Sequence, residues 1–405
     1  MKKLLKNVKL LNFKNNRLKD AHILIEDGKI VEIYGKQEVS DIKIDEIIDL
    51  QDNILIPSFV NSQSNLLMNF YDSYTNFDDY LTFRDSYNLF LKRISDEEIV
   101  EIYKYQLYLG IKNGITTFCD EDMFNLPLKK AVKETKVNFV YKIGIKNSLD
   151  DFDDSILSKL KLQNENYLLS LNSVLYNSED NFSKMIKLSK QENKGLFCNA
   201  SFNLLSSGNV ECEFNKSTVQ TLEDYGLFDC DSVLFGANVL DKEDYQILNN
   251  YDVKLLFSPS LNLNFSFPPA NIYSLSLTNR VGLASFKNDY SIEFYLTQNL
   301  QKNDYDKLTI FSDEQLLNFA TIDNAKILGL NDVGKIEKGY RANFILIKNE
   351  NLSLNANYYI KNFSNDKIKS VFINGNMIYN NNHFTDNLEF EHLQKQVYKI
   401  IKKYK

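Results

Sequence analysis

The 405-residue chain is 43% hydrophobic and 25% charged, a balance that supports a large buried core. Its formal net charge of -7 excludes a broad basic surface of the kind that binds nucleic acid. No apolar run approaches the roughly 18 residues of a membrane span, so no membrane partner is expected. The N-terminal MKKLLKNVKLLNF has lysines spaced through it and lacks the unbroken apolar core of a signal peptide. The four cysteines (Cys119, Cys198, Cys212, Cys230) form no CxxC pair. They read as reduced thiols of a cytoplasmic protein rather than a metal site.

The first 50 residues read as strands and turns. Ala21 to Val31 alternates around Asp27-Gly28, a strong hairpin signal. The middle of the chain then alternates apolar strands with helices. Candidate strands are Ile54–Asn61, Ile115–Asp120, Val137–Ile145, Leu168–Val174, Gly195–Ala200, Ser232–Val239, Lys254–Pro259 and Val281–Phe286. Between the first two, Ser95 with Glu98 forms a capping box that starts a helix, and Asn113-Gly114 stops it. Strand character returns at Asn343 to Lys348 and in the hairpin SVFINGNMIY, which turns at Asn374-Gly375. Eight βα units predict a (β/α)8 barrel over residues 54–339, with its active site at the C-terminal ends of the strands. The two strand-rich ends, 1–53 and 340–405, are expected to pair into one small β domain.

Several segments, in order, resemble the amidohydrolase superfamily, in particular its chlorohydrolase and nucleoside or guanine deaminase branch. They are ILIPSFVNSQSNLLMN (Ile54 to Asn69), GITTFCDED (Gly114 to Asp122), FSPSLNLNF (Phe257 to Phe265), VGLASF (Val281 to Phe286), the run Phe319 to Ile347, and VFINGNMIY. The resemblance implies a (β/α)8 barrel beside a β-sandwich built from both termini. It also implies a zinc or iron site held by two histidines of the first strand, one each from strands five and six, and an aspartate from strand eight.

Those positions fall on Gln63, Asn65, Asn199, Gly236 and Phe286 in this chain. The general acid/base glutamate falls on Phe202, and the substrate histidine falls near Ser173, with Tyr176 fitting the pattern after it. The chain has only three histidines, His22, His383 and His392, none between positions 23 and 382. Amides are poor zinc ligands, and without a metal, water keeps a high pKa. The expectation is therefore no metal and no cofactor, and a non-catalytic homologue that binds a small polar ligand or a partner. Gln63, Asn65, Ser173, Tyr176 and Asn199 are the candidate ligand-binding residues. A homodimer, or a dimer with an active paralogue, is the expected assembly.

The alternative is an active hydrolase on carbon–nitrogen bonds of a cyclic amidine or purine-like substrate. It would use rim carboxylates such as Asp120 and Asp122 in a non-standard site. Asp120-Glu121-Asp122 also fits a solvated loop, as do Asp72, Asp78 and Asp79 in an aromatic loop. Asp289 follows the eighth strand. Ser201, Ser258 and Ser260 lack a histidine partner and carry no nucleophilic role.

Overall fold

The structure is a computed structural model, and it describes residues 1–35, 43–146, 150–350, 353–385 and 387–404. Eight parallel strands run in sequence order around a barrel: Phe59–Ser64, Ile115–Asp120, Asn138–Ile145, Asn166–Leu171, Leu196–Ala200, Ser232–Gly236, Lys254–Phe257 and Arg280–Leu283. Nearly every residue in them is buried, as expected where helices cover one face and the barrel interior fills the other. The helix Asp96–Lys112 begins with the anticipated capping box, Ser95 and Glu98 bonding each other's backbone N–H.

The seam between the first and last strands is closed by side chains. Asn61 Nδ2 donates to Ser285 O at 2.8 Å, and Asn61 Oδ1 accepts from Ser285 N at 3.0 Å. Asn324 Nδ2 donates to Val60 O and Leu283 O, both at 2.6 Å. The Tyr290 hydroxyl lies within 2.8 and 2.9 Å of the same two carbonyls. Buried backbone groups at a strand edge must find partners, and here amides and a phenol supply them.

The two chain ends form a second, eight-stranded sheet around its own apolar core of Leu5, Val8, Ile23, Ile25, Leu55, Phe344 and Phe372, among others. At its centre Glu46–Pro57 pairs parallel with Lys2–Asn12 and antiparallel with Phe344–Ile347. The barrel with an appended β-sandwich is the architecture the sequence implied. Two boundaries differ from the sequence expectation. The apolar run Ile54–Pro57 belongs to the outer sheet, and the first barrel strand starts at Phe59. The C-terminal helix Asn387–Tyr404 leaves the β domain and packs on the barrel. Its Leu393, Val397 and Ile400 join the barrel core, and its Glu389 pairs with Lys104 at 3.1 Å.

Candidate active site at the barrel mouth

A cavity of about 300 Å³ opens at the C-terminal ends of the strands. Aromatic rings form much of its wall. Phe202 packs on Phe235 and Phe267, and Tyr80 meets Phe265 and Phe267 edge-on with centroids 5.3 and 4.8 Å away. Tyr80 comes from the helix Tyr80–Arg93, whose N-terminus is capped by Asp79 accepting from Thr82 N at 2.9 Å. Thus the aromatic loop ending in that helix folds over the mouth. Among the described residues lining the cavity, Glu121 is the one carboxylate and Arg84 the one cation.

Of the ligand-binding candidates, Asn65, Ser173, Tyr176 and Asn199 line this one cavity. Asn65 follows the first strand, Asn199 lies on the fifth, and Ser173 and Tyr176 sit in the turn after the fourth. Asn199 Nδ2 donates to Asn172 Oδ1 at 3.1 Å. The Oδ1 atoms of Asn65 and Asn199 are buried with no hydrogen-bond partner in the protein. Unpaired buried acceptors are costly, and at a cavity they mark places for a donor from outside.

Gln63 does not line the cavity. It lies one layer below, fully buried, between two charged groups. Lys142 Nζ donates to Gln63 Oε1, and Gln63 Nε2 donates to Glu121 Oε2. Asn65 Nδ2 reaches the same Glu121 oxygen at 3.2 Å. Lys142 projects from the third strand and is only 2% exposed, its ammonium 3.6 Å from the centroid of the Phe197 ring. Lys142 is absent from the sequence reading, and Glu121 enters it only as a member of the acidic triplet Asp120-Glu121-Asp122. A lone lysine inside the apolar strand NFVYKIGI was the available signal for the first. For the second, the cue was that Glu121 is the middle member of an acidic triplet whose flanking members share a parity.

Asp120 and Asp122 do not reach the cavity. Asp120, 1% exposed, accepts from Leu66 N at 3.0 Å, Ser64 Oγ at 2.9 Å and Asp122 N at 3.1 Å, tying the first strand to the second. Burial, and then the nearby Asp122 charge, push its carboxyl up to about 8. Asp122 accepts from the Tyr103 hydroxyl at 2.6 Å. Both carboxylates thus hold the fold together, because the strand end turns them inward toward backbone and phenol donors.

The remaining positions follow suit. Asp72 pairs with Lys287 and accepts from Asn264 Nδ2 at 3.0 Å. Asp78 is exposed, and Asp289 caps the helix Tyr290–Leu300. Phe286 is fully buried against Phe265, centroids 5.4 Å apart. Gly236 has φ +114, and a Cβ there would lie 2.4 Å from Ala200 O, so this position admits no side chain at all.

Comparison with known proteins bears on these assignments. The amidohydrolase family matches residues 290–378. A 5-methylthioadenosine/S-adenosylhomocysteine deaminase of Caldicellulosiruptor saccharolyticus is 26% identical over 393 residues, covering 90% of each chain. A protein of the same name from Bacillus cytotoxicus is 25% identical over 364 residues, covering 83% of this chain and 82% of its own. A zinc-bound adenosine deaminase of Xanthomonas campestris superposes with a TM-score of 0.86 at 14% identity, covering 99% of this chain and 98% of its own. The guanine deaminase of C. acetobutylicum with bound guanine gives 0.75 at 17% identity, over 94% of this chain and all of its own.

Two expectations are corrected. The reading as a non-catalytic homologue is overturned, since the relatives aligned along most of the chain are named as deaminases. The expectation of no cofactor is overturned as well, since zinc is bound in the adenosine deaminase and in the atrazine chlorohydrolase of Arthrobacter aurescens, and the fold family therefore implies a metal. Both expectations share one premise, that replacement of the inherited ligands means loss of the chemistry.

The inherited positions themselves do not fit a zinc ion. Among the described residues no group of three or more His, Cys, Asp or Glu converges as a metal site. Zinc takes imidazole, thiolate or carboxylate donors, whereas Gln63, Asn65 and Asn199 offer neutral amides. The oxygen of Gln63 is already bound by the Lys142 ammonium, whose charge would repel a second cation. The three histidines lie elsewhere, in the outer sheet (His22, His383) and on the C-terminal helix (His392).

Proposed function

We propose that this chain, which resembles the amidohydrolase superfamily in fold and in sequence, hydrolyses a carbon–nitrogen bond, releasing the amino group of a purine-like heterocycle. The alignment with methylthioadenosine/S-adenosylhomocysteine deaminases over nine-tenths of the chain carries this reading. The cavity supports it. About 300 Å³ is the lower end of small-molecule sites. Rings of Tyr80, Phe202, Phe265 and Phe267 offer apolar faces to a flat heterocycle.

In the reaction, water adds to the ring carbon that bears the amine. The carbon–nitrogen bond then breaks, nitrogen leaves as ammonia with one proton drawn from the water, the other proton passes to the adjacent ring nitrogen, and the oxygen stays as a carbonyl. The residues of this chain bind and orient. Glu121 and the free oxygens of Asn65 and Asn199 accept N–H bonds from the heterocycle, and the aromatic wall keeps bulk water from its faces.

The cytoplasm is the compartment we assign. All four cysteines are free, and among the described residues no helix is long and apolar enough to cross a membrane.

The test is ammonia release by protein purified without chelators. The panel is 5′-methylthioadenosine, S-adenosylhomocysteine, adenosine, guanine and an aminotriazine. Release from at least one purine compound is expected. Silence across the panel would reject the reading.

A further inference from the structure

Lys142 is a buried charge that the proposed reaction leaves unused. A buried ammonium costs several kcal/mol unless it is well paired. Among the described residues no carboxylate forms an ion pair with it, and its hydrogen-bond partner is the amide oxygen of Gln63. The amide passes that interaction on. With its oxygen held by an ammonium, the Gln63 side chain can present only its NH2 to the other side, and there it meets Glu121. Asn65 repeats the pattern at 3.2 Å: its NH2 faces Glu121 and its oxygen is left free. The result is a cavity lined by one carboxylate and by two asparagines, Asn65 and Asn199, whose buried amide oxygens have no partner in the protein.

We propose that Lys142, acting through the Gln63 amide, positions Glu121 as the acceptor that recognises the N–H edge of an amino-substituted heteroaromatic ligand. Lys142 and Gln63 are positioning residues, and Glu121 is the group that touches the ligand. The inference rests on the reading of the cavity as a purine-like site, and it adds what selects the amine. A neutral ring with an exocyclic amine satisfies these acceptors. The same ring without the amine leaves them unpaired, which is how polar sites discriminate strongly.

The direct test compares adenine with purine, which lacks the exocyclic amine. Dissociation constants are taken from tyrosine-fluorescence quenching within seconds of mixing, before turnover can intervene. The unmodified protein should prefer adenine by about tenfold. Glu121→Gln should abolish that preference while leaving purine affinity within about threefold. Lys142→Met, close in length and apolar, should do the same at a distance. Gln63→Glu guards against a folding artefact, because it keeps the acceptor for Lys142 and removes the donor to Glu121.

A purely structural role for Lys142 would weaken both ligands equally and leave the ratio intact. A ratio unchanged in Glu121→Gln, or kept in both Lys142→Met and Gln63→Glu, overturns the proposal. Turnover of aminopurines by a protein with no adenine preference would retain the deaminase reading and overturn this one. Preference without turnover on any substrate would do the reverse.

Discussion

A Cβ added to Gly282 would lie 2.2 Å from Asn324 Oδ1. The glycine in the last barrel strand therefore makes the space that Asn324 fills as it bridges Val60 O and Leu283 O across the seam. Gly282→Ala should cost ~1–3 kcal/mol by overpacking. Asn324→Ala should cost about 2–4 kcal/mol, because it strips donors from two buried carbonyls. Urea unfolding measures both. Losses under about 0.5 kcal/mol would show that the seam is held by something else.

Glu293 is fully buried, bonded to Ser260 N at 3.1 Å and to the Ser260 hydroxyl. Burial, opposed only in part by those bonds, pushes its carboxyl up to about 8 from the ordinary 4.5. A raised carboxyl pKa means the folded chain holds a proton that the unfolded chain releases. Its stabilisation is complete below about pH 4.5 and is lost as pH rises through about 8. Unfolding free energy should fall over that window by up to about 1.4 kcal/mol per pH unit for this group. Asp120 acts in the same direction. Glu293→Gln should make the fall shallower. Parallel pH curves for the two proteins would contradict the assignment.

Asn199 is half-buried and offers an unpartnered oxygen at the cavity. Asn199→Leu keeps its size and removes the acceptor. Adenine should bind ~10-fold more weakly, with the melting temperature little changed, as calorimetry and thermal unfolding would report. An unaltered dissociation constant would mean that the ligand lies away from the fifth strand.

Leu393 of the C-terminal helix is 1% exposed within the barrel core. Leu393→Ala should cost about 2–4 kcal/mol in cooperative unfolding of the whole barrel. A separate early transition for the helix, with the main transition unmoved, would show that it is only an appendage.

Much of the fold is readable because its signals are local. The capping box at Ser95, the apolar strands and the hairpin turns at Asp27-Gly28 and Asn374-Gly375 each depend on a few adjacent residues. The first strand was misplaced by a few residues because Ile54–Ile56 is as buried in the outer sheet as Phe59–Ser64 is in the barrel, so the apolar run carries no boundary. The seam bonds from Asn61 to Ser285, and from Tyr290 and Asn324 to Val60, join residues more than 200 positions apart and have no local pattern. The cavity residues Asn65, Ser173, Tyr176 and Asn199 were reached through the family resemblance. That same resemblance led away from Lys142 and Glu121, since they occupy positions outside its ligand set. Chemistry that depends on one amide linking two charges is visible only in three dimensions.

The most direct test of the account is turnover of a purine nucleoside in ¹⁸O-labelled water. A deaminating hydrolase should release ammonia and leave a carbonyl product carrying one labelled oxygen, in equal amounts, and Glu121→Gln should suppress both. Quantitative recovery of unlabelled, still-aminated substrate from every purine tried would contradict it.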